Sequence, residues 1–161
     1  MPFTPFHWGP ALLIGLLFFS LFDFFSLLIS SVIVDIEPFY NLYMYRSSAR
    51  LHGFLHTYLG ATLISVPLSL ILYLIRDYTE KLLETFKLKQ RSSFKKILLT
   101  NVFGTYFHIF LDSFLYTGIR PFYPLQTNPL LYMVSSFTVY MFCTVCFPLA
   151  LVVYLYRIWK L

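Results

Sequence analysis

Charge is scarce in this chain. Of its 161 residues only 12% are Asp, Glu, Lys or Arg, against about a quarter in a soluble domain. A fold with a conventional charged surface is excluded on that ground. Acidic groups are the scarcest, at 7 against 12 Lys and Arg. Cysteine is nearly absent: Cys143 and Cys146 lie inside one apolar run. They cannot form a disulfide framework or a four-cysteine zinc site, and Cys143-Thr-Val-Cys146 reads as packing. The six glycines form neither a Walker loop nor a dinucleotide fingerprint, and there is no Gly-x-Ser-x-Gly elbow. A basic n-region and a small-residue cleavage site are missing from the N-terminus, so it does not read as a removable signal peptide.

What is abundant is apolar. Hydrophobic residues make up 58% of the chain and aromatics 21%. Four apolar stretches stand out: Ala11–Val34, Phe54–Ile75, Ile97–Tyr116 and Leu130–Tyr156. Each approaches or exceeds the roughly 20 residues that cross a bilayer as a helix. The expected fold is all-α, one integral membrane bundle over residues 1–161. The net charge of +5 does not point to nucleic acid, because seven of the 12 Lys and Arg lie between Arg76 and Lys96. That stretch reads as a loop meeting anionic headgroups. Within it Leu82, Leu83 and Phe86 alternate with charges, which predicts a short helix along the membrane surface.

The polar exceptions inside or beside apolar segments carry the functional reading, since ionisable groups near lipid are costly and usually partnered. His52 and His56, four apart, would share one helix face and could hold one ion. His108 and Asp112 have the same spacing, the aspartate serving as ligand or as an orienting carboxylate. Asp35 and Glu37 end the first stretch, and Pro38 predicts a bend by drawing Glu37 out of helical geometry. His7 precedes Trp8-Gly9-Pro10, a helix-entry signal with an interfacial Trp. Asn101, Gly104 and Thr105 read as helix-contact residues.

Hydropathy alone favours a single crossing by the first stretch. A straight helix, however, would put His7 and Asp35 about 42 Å apart at 1.5 Å per residue. If the chain instead turns back near Ser20–Ser26, with Asp23 capping the second limb, both return to one side. A metal shared by His7 and Asp35 requires this form: a re-entrant helical hairpin at about 10–34 and three transmembrane helices at about 52–75, 97–117 and 129–157. One face then holds nine Lys and Arg, the seven above plus Arg157 and Lys160. The other holds Arg46, Arg50 and Arg120. This predicts a multi-pass cell-membrane protein with loop 76–96 and the C-terminus in the cytoplasm and the His/Asp residues at the extracytoplasmic face.

In order, Phe-His7-x-Gly-Pro, Val-Asp35-Ile-Glu37-Pro, His52-Gly-Phe-x-His56-Thr, His108-x-x-x-Asp112-Ser and Arg120-Pro-Phe-x-Pro resemble a prokaryotic family, the membrane-bound metal-dependent hydrolases. The resemblance covers nearly the whole chain. It implies an α-helical membrane protein with a His/Asp metal centre, usually taken to be zinc, built from His7, Asp35, His52, His56, His108 and Asp112. Many relatives carry a longer His-Arg-Gly-x-Thr-His-Ser segment. Here Gly53 follows His52 directly, so that arginine is absent, and Arg50 or Arg120 would have to replace it on a phosphoester.

The expected function is a membrane-embedded hydrolase using a divalent metal on a lipid or lipid-linked ester. In it Glu37 acts as general base, and Asp112 as ligand or second-shell carboxylate. The alternative is a non-catalytic accessory subunit of a larger membrane complex, whose His/Asp cluster is a structural metal clamp or a polar network. Proton or ion passage ranks behind both, since the polar groups gather at one end rather than through the full depth.

Overall fold

The computed structural model describes residues 4–45 and 52–160, which are all helix, turn or coil without a strand. Among the described residues seven α-helices follow one another: α1 Trp8–Leu17, α2 Phe24–Ser30, α3 Ile36–Tyr45, α4 Tyr58–Leu74, α5 Arg76–Thr85, α6 Phe94–Ser113 and α7 Ser136–Trp159. Among the described residues two stretches, Phe24–Met44 and Ser136–Trp159, are long and apolar enough to cross a membrane. A third qualifies if α4 and α5, bent by 71°, count as one.

The N-terminal segment is a helical hairpin. α1 ends at Leu17 and α2 begins after Asp23, whose side chain accepts from the Ser26 N–H at 2.9 Å. This is the expected cap. The limbs run antiparallel, because Trp8 Nε1 at the start of α1 donates to the Leu28 carbonyl near the end of α2 (3.1 Å). At the turn, Gln90 Nε2 donates to the Phe19 and Phe22 carbonyls at 2.6 and 2.9 Å, and Lys96 Nζ to Ser20 at 2.9 Å. Arg157 lies over the Phe19 ring. These contacts bind the hairpin tip to the basic end of the bundle. Along α6, His108 lies 12 residues beyond Lys96, about 18 Å at helical rise. Basic pole and histidine pole are thus opposite ends of one helix.

Three boundaries differ from expectation. The limb beyond Asp35 does not leave helical geometry. A 3-10 turn at Ile33–Asp35 passes into α3, with Glu37 and Pro38 in its first turn. Proline is tolerated there because a first-turn N–H has no intrahelical partner. His52 and His56 do not share a helix. His52 precedes a 3-10 turn, Phe54–His56, and α4 starts only at Tyr58, capped by Thr57 Oγ1 accepting from Gly60 N–H. α7 starts at Ser136 rather than near 129, where Ser135 Oγ accepts from Thr138 N–H. The surface helix in the basic stretch is present as α5, with Leu83 buried and Tyr78, Leu82 and Phe86 exposed.

α6 is the axis of the bundle and the most polar inside. Its buried face carries Thr100, Asn101, Thr105, His108 and Asp112. Asn101 Nδ2 donates to Ser69 Oγ at 2.8 Å, and Ser65 and Thr105 share a 3.1 Å bond, tying α6 to α4. The Asp23 N–H donates to Thr100 Oγ1 at 3.0 Å and ties α6 to the hairpin. Gly104 lets α2 close in, since a Cβ there would strike Ser30. Small and hydroxyl side chains allow this close packing where helix association lacks a hydrophobic drive. Cys143 and Cys146 are free and buried. Cys143 packs with Leu111, Phe114 and Val139, as the packing reading requires.

Candidate metal centre

Spacing along α6 sets the first pair. His108 and Asp112 are four apart, one turn on the same face, and His108 Nε2 lies 3.3 Å from Asp112 Oδ2. The hairpin brings two more residues. His7, at the foot of α1, places Nε2 3.2 Å from Asp112 Oδ1 and stacks on His108 with ring centroids 3.9 Å apart. Asp35, at the end of the other limb, places Oδ1 3.3 Å from His108 Nε2 and 3.6 Å from His56 Nε2. Ligand atoms of Asp35, His56, His108 and Asp112 all lie within 4.8 Å of one another, and the four side chains are buried. His7 and Asp35 therefore meet one helix turn, which a straight first segment could not allow.

The far nitrogens of the two central rings are held. His108 Nδ1 sits 2.7 Å from the Ser31 carbonyl, and His56 Nδ1 sits 3.0 Å from Glu37 Oε2. A carbonyl or ionised carboxylate oxygen can only accept, so each Nδ1 carries a proton and each ring turns its Nε2 inward, where a bound cation would take its lone pair. Both Nε2 atoms are buried with no hydrogen-bond partner, as is Asp112 Oδ1. Two carboxylates and two imidazole nitrogens thus converge in a buried space that requires positive compensation, from a cation or from protons on the rings.

A divalent metal fits this arrangement. Nitrogen and oxygen ligands about 2.0–2.2 Å from a zinc ion, at tetrahedral angles, lie roughly 3.3–3.6 Å from one another. The Asp35–His56, Asp35–His108 and His108–Asp112 separations of 3.6, 3.3 and 3.3 Å fall in that range. Pinning of each ligating imidazole through its other nitrogen is the usual outer shell of such a site.

Glu37 is fully engaged. Oε2 accepts from the Gly53 N–H at 2.8 Å and contacts His56 Nδ1, while Oε1 accepts from the Leu55 N–H at 3.0 Å. Gly53 makes room for this, because a Cβ would sit 2.7 Å from Glu37 Oε1. Asp35 and Glu37 point different ways, as their spacing requires, and grip opposite nitrogens of the same ring. Burial lowers the His56 pKa, but the Asp35 and Glu37 carboxylates beside its two nitrogens outweigh it and raise the value.

His52 stands outside the inner four. It is half-buried, edge-on to His56 at 4.6 Å and tilted over Tyr116 at 4.5 Å between centroids. Burial, with His56 adding, lowers its pKa to about 4, so it is neutral at pH 7. Arg50 lies outside the described residues. Arg120 hydrogen-bonds Gln126, and the Pro121 carbonyl beside it accepts from Tyr58 N–H at the start of α4. The sequence reading missed Ser31 and Tyr116. The Ser31 contribution is a backbone carbonyl, which leaves no signature in residue type.

No curated protein and no solved structure gave a match to this chain. The profile of the YdjM inner membrane protein family matches residues 7–160, from the first histidine of the cluster almost to the C-terminus, and the chain belongs to that family, which is known as the membrane-bound metal-dependent hydrolase family.

Proposed function

We propose that the chain is a membrane-embedded hydrolase whose divalent metal, zinc by the mixed imidazole and carboxylate donors, is held by Asp35, His56, His108 and Asp112. The observation that carries this reading is the pair of inward Nε2 atoms facing Asp35 Oδ1, each ring fixed by an acceptor on its Nδ1. His7 meets the four through Asp112, and His52 through His56. When bound, the metal supplies Lewis-acid polarisation of the scissile group and an acidified water.

The chain's own residues do the rest. Asp112 joins His7 and His108 through its two oxygens and fixes the hairpin foot to α6. The sequence suggested Glu37 as general base, but three short contacts make it the better candidate for positioning His56. His52, neutral and at the half-buried edge beside Tyr116, is placed to meet a substrate. A lipid or lipid-linked ester suits the surroundings, because α3 continues directly from Asp35 with Ile36, Phe39, Tyr40 and Tyr43 exposed. Positive-inside bias puts the α5 pole in the cytoplasm and the centre toward the opposite face.

A second reading, a structural metal clamp, draws on one observation: His56, His108 and Asp112 are at most 1% exposed. Purified protein offered short-chain phospholipid and lipid-linked ester substrates separates the two. The hydrolase reading expects turnover that a chelator abolishes and zinc restores. Metal-loaded protein that turns over none of these, yet melts at lower temperature on chelation, would replace it with the clamp.

A further inference from the structure

An apolar groove of about 440 Å³ lies between the hairpin, α5 and α7, with Leu82, Phe86 and Leu88 of the basic stretch in its lining. Leu16, Phe25, Leu83, Phe147, Ala150 and Tyr154 are among its walls. The groove follows α7 from Phe147 to Tyr154, about 10 Å at helical rise. Leu82, Phe86 and Leu151 of its lining are exposed, so the groove opens on its surroundings, and in a bilayer the surroundings are hydrocarbon chains.

Charge at the mouth says what the chain belongs to. In the stretch that closes the groove, Lys89 pairs with Glu80 and Glu84, and Arg91 with Asp77 and Glu80. Every acid of α5 is thereby engaged. Lys87 sits between Phe86 and Leu88, which both line the groove. Lys87 is exposed, and Lys81 and Lys87 make no ion pair among the described residues. We propose that this groove binds one acyl chain of an anionic phospholipid from the surrounding bilayer, with the lipid phosphate at Lys87. Amphipathic α5 lies against the hairpin and forms one wall, so a seated lipid would brace the hairpin tip from below.

The test is native mass spectrometry of the full chain released from detergent micelles, titrated with phosphatidylglycerol or with phosphatidylcholine of the same acyl chains. The native protein should retain one phosphatidylglycerol in preference to phosphatidylcholine. Lys87→Gln should reduce that preference about fivefold while leaving a chain bound. Ala150→Phe, which fills the groove from inside, should remove retention of both lipids. Leu151→Trp, which fills it from the lipid-facing rim, serves if Ala150→Phe does not fold, and should do the same. A native protein that retains neither lipid, an unaltered preference in Lys87→Gln, or filled variants that keep their lipid would overturn the proposal. None of these outcomes depends on the metal centre.

Discussion

Replacing Glu37 with Ala removes three contacts at once: the Gly53 N–H at 2.8 Å, the Leu55 N–H at 3.0 Å and His56 Nδ1 at 3.0 Å. The first two shape the turn that presents His56, and the third fixes its tautomer. Loss of such an outer partner costs about 10–100-fold in metal affinity, equivalent to ~1.4–2.8 kcal/mol. Glu37→Ala should fall within that range. Glu37→Gln should lie at its mild end, since the amide keeps one acceptor oxygen and its NH2 cannot accept from a backbone N–H. Competition with a chelating dye in detergent measures both. If Glu37 were instead the general base, Glu37→Gln would hold metal as the native protein does and lose turnover. Unchanged metal affinity in Glu37→Ala would refute the positioning role.

Other consequences follow from close approach and from topology. Gly53→Ala should act like a weaker Glu37→Ala, because its Cβ meets Glu37 Oε1 at 2.7 Å and must push it off the turn; the same chelator competition reads it. Gly104→Ala should cost roughly 1–3 kcal/mol of stability by wedging α2 from α6 at Ser30, whereas Gly118→Ala, with nothing within 4 Å, should leave the melting temperature alone. Cysteines placed at Tyr43 on α3 and Lys81 on α5 should label from opposite sides of sealed vesicles, and labelling of both from one side would contradict the orientation.

The hairpin was legible because two residues far apart in the chain needed a common pole, and no straight helix could give them one. Asp23 marked the turn for a local reason, a carboxylate in an apolar run that caps the next limb. The His108–Asp112 pair was legible because four residues along a helix are neighbours whatever surrounds them. The same rule failed for His52 and His56. They meet at 4.6 Å across a 3-10 turn, whose shape depends on a Glu37 carboxylate from another element. Pro38 misled because its effect depends on position: it breaks a helix interior but opens a first turn. Ser31 could not have been found, since it acts through its carbonyl where α2 packs on α6.

The central claim is that Asp35, His56, His108 and Asp112 share one cation. Elemental analysis of the purified chain, beside His56→Ala and His108→Ala prepared identically, tests it most directly. The native chain should hold about one divalent metal ion, and both variants should lose it. A native protein that folds and melts cooperatively while holding no metal, even after exposure to zinc, would contradict it.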